Sequence, residues 1–323
     1  MEEFSSVTEK ELVSIIIPTH NRADLICETL DSIKNQTYKS IEIVVVDDHS
    51  EDKTFEIVEE YIEHNPEVKI KIFKNDGKGA CAARNKGIRE SKGAYLQFFD
   101  DDDLMFENHI ESKVIALRDN NYDYIGCDFS YFDDETKECV GHKIISTVDH
   151  NCSSHLLTKS FPCPCFMCTR EAIAALGYWN ENIKKLQDMV YFQRLFLLNM
   201  KGVYLQKELF KVRIHKGSMT SRCVAVSDGY YSQAFAYSAI KKEWMNINKK
   251  DKSTVLKTLL FLEYTVGRNM YLKGFKKQGI KMILETLINN FSTSLSFLKV
   301  ILKYRTFHIT NALIKENRSF VSN

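Results

Sequence analysis

The chain is predicted to be an α/β protein, a mixed sheet flanked by helices and followed by an all-helical C-terminal appendage, and three observations predict it. Short continuous apolar runs alternate with segments of helical period over residues 13–99, the pattern of right-handed βαβ units around a sheet buried on both faces. After Asp103 the alternation gives way to longer strand-like stretches and loops rich in Cys and Pro, so the sheet is expected to become mixed there. From Val224 onward only helical periodicity remains, with no Pro and frequent Lys.

Taken in order, Val13-Ser-Ile-Ile-Ile-Pro18 reads as the first strand, and Ala23 to Gln36 as a helix with Leu25, Ile26, Thr29, Leu30 and Ile33 on one face. Ile41 to Val46 is the second strand, Lys53 to His64 a helix, and Val68 to Phe73 the third strand. A Gly77-Lys78-Gly79 turn leads into a helix over Ala80 to Ser91, and Ala94 to Phe99 is the fourth strand. Beyond it lie a helix from Glu107 to Asp119 and strand-like stretches at Tyr124–Phe132 and Glu138–Ile145. Asp188 opens an amphipathic helix bearing Val190, Leu195, Phe196 and Leu198. The helical appendage starts between residues 218 and 230, which divides the chain into residues 1–222 and a basic helical region, 223–323.

With 323 residues and an apolar fraction of 44%, the chain can bury a sizeable core. Its net charge of +1 hides an asymmetry: from residue 241 onward 16 Lys/Arg face 5 Asp/Glu, whereas residues 1–240 carry 28 against 38. An acidic body argues against nucleic acid as a partner, while a basic amphipathic tail suits an anionic membrane face or a partner protein. Nine cysteines, an odd number with no signal peptide ahead of them, point to the reducing cytoplasm. Cys163, Cys165 and Cys168 form a Cys-x-Cys-x-x-Cys cluster that could bind zinc, although a structural zinc site wants a fourth ligand and usually paired Cys-x2-4-Cys hooks. No apolar run is long enough for a membrane span, and Phe291–Ile309 is interrupted by Lys299, Lys303 and Arg305. The expected location is therefore cytoplasmic, with peripheral contact at the inner face of the plasma membrane through the basic C-terminal helices.

Four consecutive carboxylates, Asp100 to Asp103, follow directly on the fourth strand. Open α/β sheets keep their chemistry at the carboxyl ends of strands. Like charges this close repel unless a cation or shifted pKa values relieve them, and hard cations such as Mg2+ and Mn2+ are held by a few carboxylates plus phosphate oxygens. Pro18-Thr-His-Asn-Arg22 and Asp47-Asp-His-Ser50 end the first two strands, so parallel pairing brings all three ends to one crevice. Each polar residue taken singly is a helix cap; three polar strand ends together describe a site for a phosphorylated ligand.

At this point the sequence resembles the inverting nucleotide-sugar glycosyltransferases of family 2, which have the GT-A fold, a Rossmann-like mixed sheet flanked by helices. The resemblance rests on Val13-Ser-Ile-Ile-Ile-Pro-Thr-His-Asn-Arg22, Val45-Val-Asp-Asp-His-Ser50, Ala82-Ala-Arg-Asn-Lys-Gly87 and Leu96-Gln-Phe-Phe-Asp-Asp-Asp-Asp-Leu104. It extends through Leu186-Gln-Asp-Met-Val-Tyr-Phe-Gln-Arg194 to Val212-Arg-Ile-His-Lys-Gly-Ser-Met-Thr220. It implies that Asp48 binds the base, that Pro18, Thr19, Asn21, Arg22, Lys78 and Arg84 contact the nucleotide or donor, and that Asp100 and Asp101 lie near ribose and donor sugar. Asp102 then holds Mn2+ or Mg2+, with His215 as a further metal or phosphate ligand; all four positions being Asp, the match can slide by one residue. Asp188 is the implied catalytic base, although Gln187 stands where the family has Glu. The implied partners are a nucleotide-sugar donor, a UDP-sugar in the first instance, and a glycan or lipid-linked acceptor in bacterial surface polysaccharide synthesis. A receiver domain is too short to need the segments around Asp188 and His215, and a sugar-nucleotide pyrophosphorylase wants a Gly-rich loop after the first strand. A processive synthase would carry transmembrane helices and a Gln-x-x-Arg-Trp motif, of which Gln193-Arg194-Leu-Phe196 is a partial echo. The remaining alternative is a degenerate GT-A domain acting as a binding or scaffold module.

Overall fold

The run Val13-Ser-Ile-Ile-Ile17 has no solvent-facing side, and every one of these side chains is fully buried. A strand apolar on both faces belongs in the middle of a covered sheet, and β1 (Glu9–Thr19) lies there, parallel to β2 (Ile41–Asp47) on one side and β4 (Gly93–Phe98) on the other. The computed structural model describes residues 9–143, 161–184, 186–198, 200–215, 237–241, 263, 266–272 and 274–288. The chain forms two compact units, residues 1–224 and 225–323.

In the first unit one nine-stranded sheet runs in the order β3-β2-β1-β4-β8-β6-β9-β5, with β7 on β6. Its first half is parallel: β3 (Lys69–Lys74), β2, β1 and β4, connected by α1 (Ile26–Lys34), α2 (Thr54–His64) and α3 (Ala80–Glu90). The second half is mixed, as the change of rhythm after Asp103 implies. β8 (Met167–Thr169) is antiparallel to both β4 and β6 (Tyr124–Asp133), β9 (Gly202–Ile214) is parallel to β6, and β5 (Leu104–Met105) is antiparallel to β9. β7 (Cys139–Lys143) pairs antiparallel with β6; the last two residues of the strand expected to reach Ile145 lie outside the described residues. α4 (His109–Asn120), α5 (Arg170–Leu176) and α6 (Gln187–Leu197) complete this unit.

Local chemistry sets the boundaries. The helix expected from Ala23 begins at Ile26, because residues 22–25 form a turn in which Arg22 O accepts from both Leu25 N and Ile26 N at 3.0 Å. Gly79, at φ +94°, starts α3, a conformation that L side chains rarely adopt. Gly87 lets α3 settle on β1, since a Cβ there would lie 2.3 Å from Ile16 Cγ2. Thr169 caps α5 by accepting from Ala172 N.

In the second unit, residues 237–241 and 266–272 and α7 (Lys276–Ile288) are helical. A Cβ on Gly279 would come 2.5 Å from Gly267 O, so the two helices cross at backbone contact. Lys241 Nζ pairs with Glu263 at 2.7 Å. The boundary expected between residues 218 and 230, Ser218 and Thr220 of the quoted motif, and the segment Phe291–Ile309 lie outside the described residues.

Candidate active site

Because β1, β2 and β4 are parallel and adjacent, the segments after Thr19, Asp47 and Phe98 leave the sheet at one edge. The first of them is tied to the second by backbone and side chain. Asp48 N donates to Thr19 O at 2.8 Å, Asn21 N donates to Ser50 Oγ at 2.9 Å, and Glu51 N donates to Asn21 Oδ1 at 2.8 Å. Asn21 sits at φ +53°, a region Asn tolerates better than most residues. Asp48 is held by Asn75 Nδ2 at 2.8 Å and by Gly79 N, which donates to both carboxylate oxygens at 2.8 and 2.9 Å. Its carboxylate thus stands at the head of α3 with the plane of the group fixed.

The third segment carries the acidic cluster. Arg22 Nε donates to Asp101 Oδ1 at 3.2 Å and Arg22 Nη2 to Asp102 Oδ2 at 3.3 Å, while His20 N donates to Asp101 Oδ2 at 3.3 Å. His215 Nε2 meets Asp102 Oδ2 at 3.1 Å. Beneath them Arg213, whose side chain is fully buried, donates from Nε to Asp102 O at 2.7 Å and from its backbone N to Asp103 Oδ1 at 3.0 Å. Its two terminal nitrogens reach Asp134 and Glu28 at 2.5 and 2.9 Å. Thr29 Oγ1 lies within hydrogen-bond distance of both Asp101 O and Asp103 O, at 3.1 and 2.9 Å. The loop of four Asp residues is therefore gripped from both sides of the sheet edge.

Burial and the neighbouring carboxylates push three of these groups above the usual carboxylate range: Asp100 to about 7 against the pull of Arg84, Asp101 to about 6 against Arg22, and Asp103 well up. Crowded carboxylates with raised pKa values favour a bound cation. Asp102 Oδ2 and His215 Nε2 lie 3.1 Å apart, bonded to each other, and among the described residues no three His, Cys, Asp or Glu side chains form a self-contained metal group. That donor set fits a hard octahedral ion, which keeps most of its waters or phosphate oxygens and takes only one or two protein ligands. It does not fit a structural zinc site, and Cys163, Cys165 and Cys168 are buried without forming one.

The opposite wall is built on Arg84. From α3 its Nη2 donates to Asp100 Oδ1 at 3.1 Å, its Nη1 donates to Gln187 Oε1 at 3.0 Å, and the same Nη1 lies 3.9 Å from Asp188 Oδ1. The guanidinium also packs over the Trp179 ring at 4.7 Å. Although burial alone would lower its pKa, the neighbouring carboxylates of Asp188 and Asp100 hold it up. Asp188 stands in the first turn of α6, behind Leu186 at φ +58°, and accepts a hydrogen bond from Cys163 Sγ at 3.1 Å.

Of the residues singled out from the sequence, Arg22, Asp101, Asp102 and His215 form one bonded cluster and Arg84, Asp100 and Asp188 a second. Thr19, Asn21 and Asp48 line the strand ends just described. Pro18 is buried in the β1–β2 ladder opposite Val46, and Lys78 is exposed on the turn before α3. His20, Asn75, Arg213 and Cys163 were not singled out for the site. His20 and Arg213 lay inside quoted motifs and Cys163 inside the cysteine cluster, while nothing local marks Asn75.

The family model for glycosyl transferase family 2 matches residues 14–177, from within β1 through the acidic segment and the Cys163 turn. The chain belongs to that family. An uncharacterized glycosyltransferase of Rickettsia typhi is 28% identical over 95% of this chain and 96% of its own length. Another, from Rickettsia bellii, is 30% identical over 64% of this chain, which spans 29% of the length of that protein. Among solved structures, Staphylococcus aureus TarS residues 1–349 in complex with UDP-GlcNAc superimposes with a TM-score of 0.67 at 20% identity, over 85% of this chain and 79% of that one. The mannosyltransferase PcManGT of Pyrobaculum calidifontis, in complex with GDP-Man and Mn2+, gives 0.60 at 18% identity, over 94% and 81%. At these identities the likeness is one of fold, and the fold of this glycosyltransferase is GT-A.

Proposed function

We propose that this glycosyltransferase moves a sugar from a nucleoside-diphosphate donor, UDP-linked in the first instance, to a hydroxyl of a glycan or lipid-linked acceptor. The transfer inverts the anomeric centre, depends on Mn2+ or Mg2+, and serves the building of bacterial surface polysaccharide. The observation that carries the reading is Arg84, whose one guanidinium reaches Asp100 on the metal side and Gln187 and Asp188 on the other. A displacement at a sugar carbon needs opposite treatment of its two ends, and Arg84 sits where the two sides meet.

In this reading Asp48 takes the base, Thr19, Asn21, Arg22 and Lys78 the nucleotide, and Asp100 and Asp101 the ribose and donor sugar. Asp102 and His215 would hold the divalent ion, which when bound stabilises the negative charge of the departing diphosphate as a Lewis acid. Arg22 keeps Asp101 and Asp102 in place at 3.2 and 3.3 Å. On the acceptor side Asp188 takes the hydroxyl proton as the new bond forms, general base catalysis worth roughly 10^2 to 10^4 in rate. Catalysis is assigned to residues 1–222. Residues 223–323 are assigned to holding the enzyme at the cytoplasmic leaflet, beside a lipid-linked acceptor. In support, the exposed face of α7 mixes Lys276, Lys277 and Lys281 with Ile280 and Leu284. No helix among the described residues is long and apolar enough to cross a membrane.

Asp188→Asn tests the reading. Turnover is expected to fall by about 10^2 to 10^4 while calorimetric nucleotide binding survives; a fully active Asn variant removes Asp188 from the mechanism.

A further inference from the structure

Asp188 Oδ1 is approached from two sides, by Cys163 Sγ at 3.1 Å and by Arg84 Nη1 at 3.9 Å. Among the described residues Oδ2 takes no protein hydrogen bond, and 28% of the side chain faces solvent. Cys163 opens a 3-10 turn, Cys163-Pro-Cys165, and is itself fully buried. The turn is clamped from below by two buried polar side chains. Lys113 Nζ donates to Pro164 O at 2.9 Å and Cys165 O at 3.1 Å, and Gln97 Nε2 donates to Pro164 O at 3.2 Å and Phe166 O at 3.0 Å. A further bond, from Lys113 Nζ to Gln97 Oε1 at 3.0 Å, joins the two clamps. Burying an ammonium and an amide is costly, and here both direct their donors at the backbone that carries the thiol.

We propose that Cys163 is a positioning residue for Asp188: the thiol pins Oδ1, so that Oδ2 faces the acceptor hydroxyl and receives its proton. The inference rests on Asp188 being the base. Burial, together with Asp188 and Asp100 and against Arg84, pushes the Cys163 thiol well up, so it stays protonated and donates. Without the thiol the carboxylate is free to turn toward Arg84, a stronger partner, and the oxygen that should take the proton is withdrawn.

The first arm of the test uses the full chain without substrate. The infrared S–H band of Cys163, identified by its loss in Cys163→Ser, is expected to shift when Asp188→Asn replaces the charged acceptor with a neutral one. An unmoved band overturns the thiol contact, whatever Asp188 does. The second arm reads nucleoside-diphosphate release from UDP-GlcNAc and GDP-mannose, with water as acceptor. Cys163→Ala is expected to lower kcat about tenfold with KM for the donor unchanged, Cys163→Ser to restore most of the loss, and Cys163→Ala to have no effect when added to Asp188→Asn. An equal loss in both backgrounds makes Cys163 merely structural and overturns the proposal. An Asp188→Asn enzyme as fast as the parent overturns the base assignment, and the proposal with it, even if the S–H band shifts. Where neither donor is hydrolysed, the infrared arm decides alone.

Discussion

Arg84 shows at the scale of one residue why type and position both matter. Its planar fork places Nη1 on Gln187 and Nη2 on Asp100 at 3.0 and 3.1 Å while the ring of Trp179 covers its face. Lys offers a point charge on a flexible stem and cannot hold both partners. Arg84→Lys is therefore expected to lower turnover by roughly 10^2-fold, the cost of a small misplacement in a reacting pair, with the unfolding midpoint little changed; kinetics on the nucleotide-sugar donor together with thermal melting would check it. The acidic run could be singled out from the sequence because it stands where an apolar strand ends in a polar loop, whereas Asp188, which locally reads as a helix cap, was singled out only through the resemblance of its segment to the family. Cys163 was not legible in this role. Its partner is 25 residues away in sequence and meets it only once β8 and α6 have packed, and a cysteine cluster read locally suggests metal instead.

The elements explain how the site is held. α3 lies close on β1 because Gly87 has no Cβ, and the nearest atom to an added one, Ile16 Cγ2 at 2.3 Å, belongs to a fully buried β-branched side chain. Gly87→Ala is expected to destabilise the protein by about 1–2 kcal/mol in urea unfolding, since overpacking outweighs the gain in helix propensity. β9 supplies Arg213, which links the acidic loop to Asp134 and Glu28. Lys137, with Arg213, holds the Asp134 carboxyl below its usual range despite some burial. A carboxylate with a depressed native pKa adds stability at neutral pH that is lost as pH falls through that value. Asp134→Asn is thus expected to cost about 1–2 kcal/mol at pH 7 and at pH 5, with the gap closing below about pH 3.8; urea titrations at these pH values measure it. β1 to β4 were readable because buried parallel strands are continuous apolar runs. β9 was not, because its ladder with β6 skips from Leu205 to Glu208, and a bulge that leaves Gln206 and Lys207 between them breaks the alternation that marks a strand. The two-residue β5 and three-residue β8 are too short to leave any periodic signal.

Over the whole molecule, charge is partitioned. Residues 1–240 carry 28 Lys/Arg against 38 Asp/Glu and the remainder 16 against 5. A basic, partly apolar helix is drawn to an anionic surface by about 1 kcal/mol per cationic side chain near it. Reversing Lys276, Lys277 and Lys281 to Glu is therefore expected to weaken flotation of the full chain with phosphatidylserine-containing liposomes by roughly 10^2-fold or more; equal flotation of both proteins would defeat the membrane role of residues 223–323. A mixed α/β sheet with a crevice at the strand ends follows from the order of apolar runs and polar strand ends, and its GT-A identity from the resemblance of the motifs to the family. Donor, acceptor and linkage do not, because they depend on side chains brought together from the stretch between Asp103 and Asp188, where no periodicity encodes them. In the proposed reading the acidic strand end binds a nucleoside diphosphate through a divalent ion. Isothermal titration calorimetry of UDP, GDP, TDP and CDP, each with and without Mn2+, on the wild type and Asp102→Ala tests it most directly. One nucleotide is expected to bind only when Mn2+ is present, and Asp102→Ala to abolish this binding; no binding of any nucleotide, or Mn2+-dependent binding untouched by Asp102→Ala, would rule out that mode of binding.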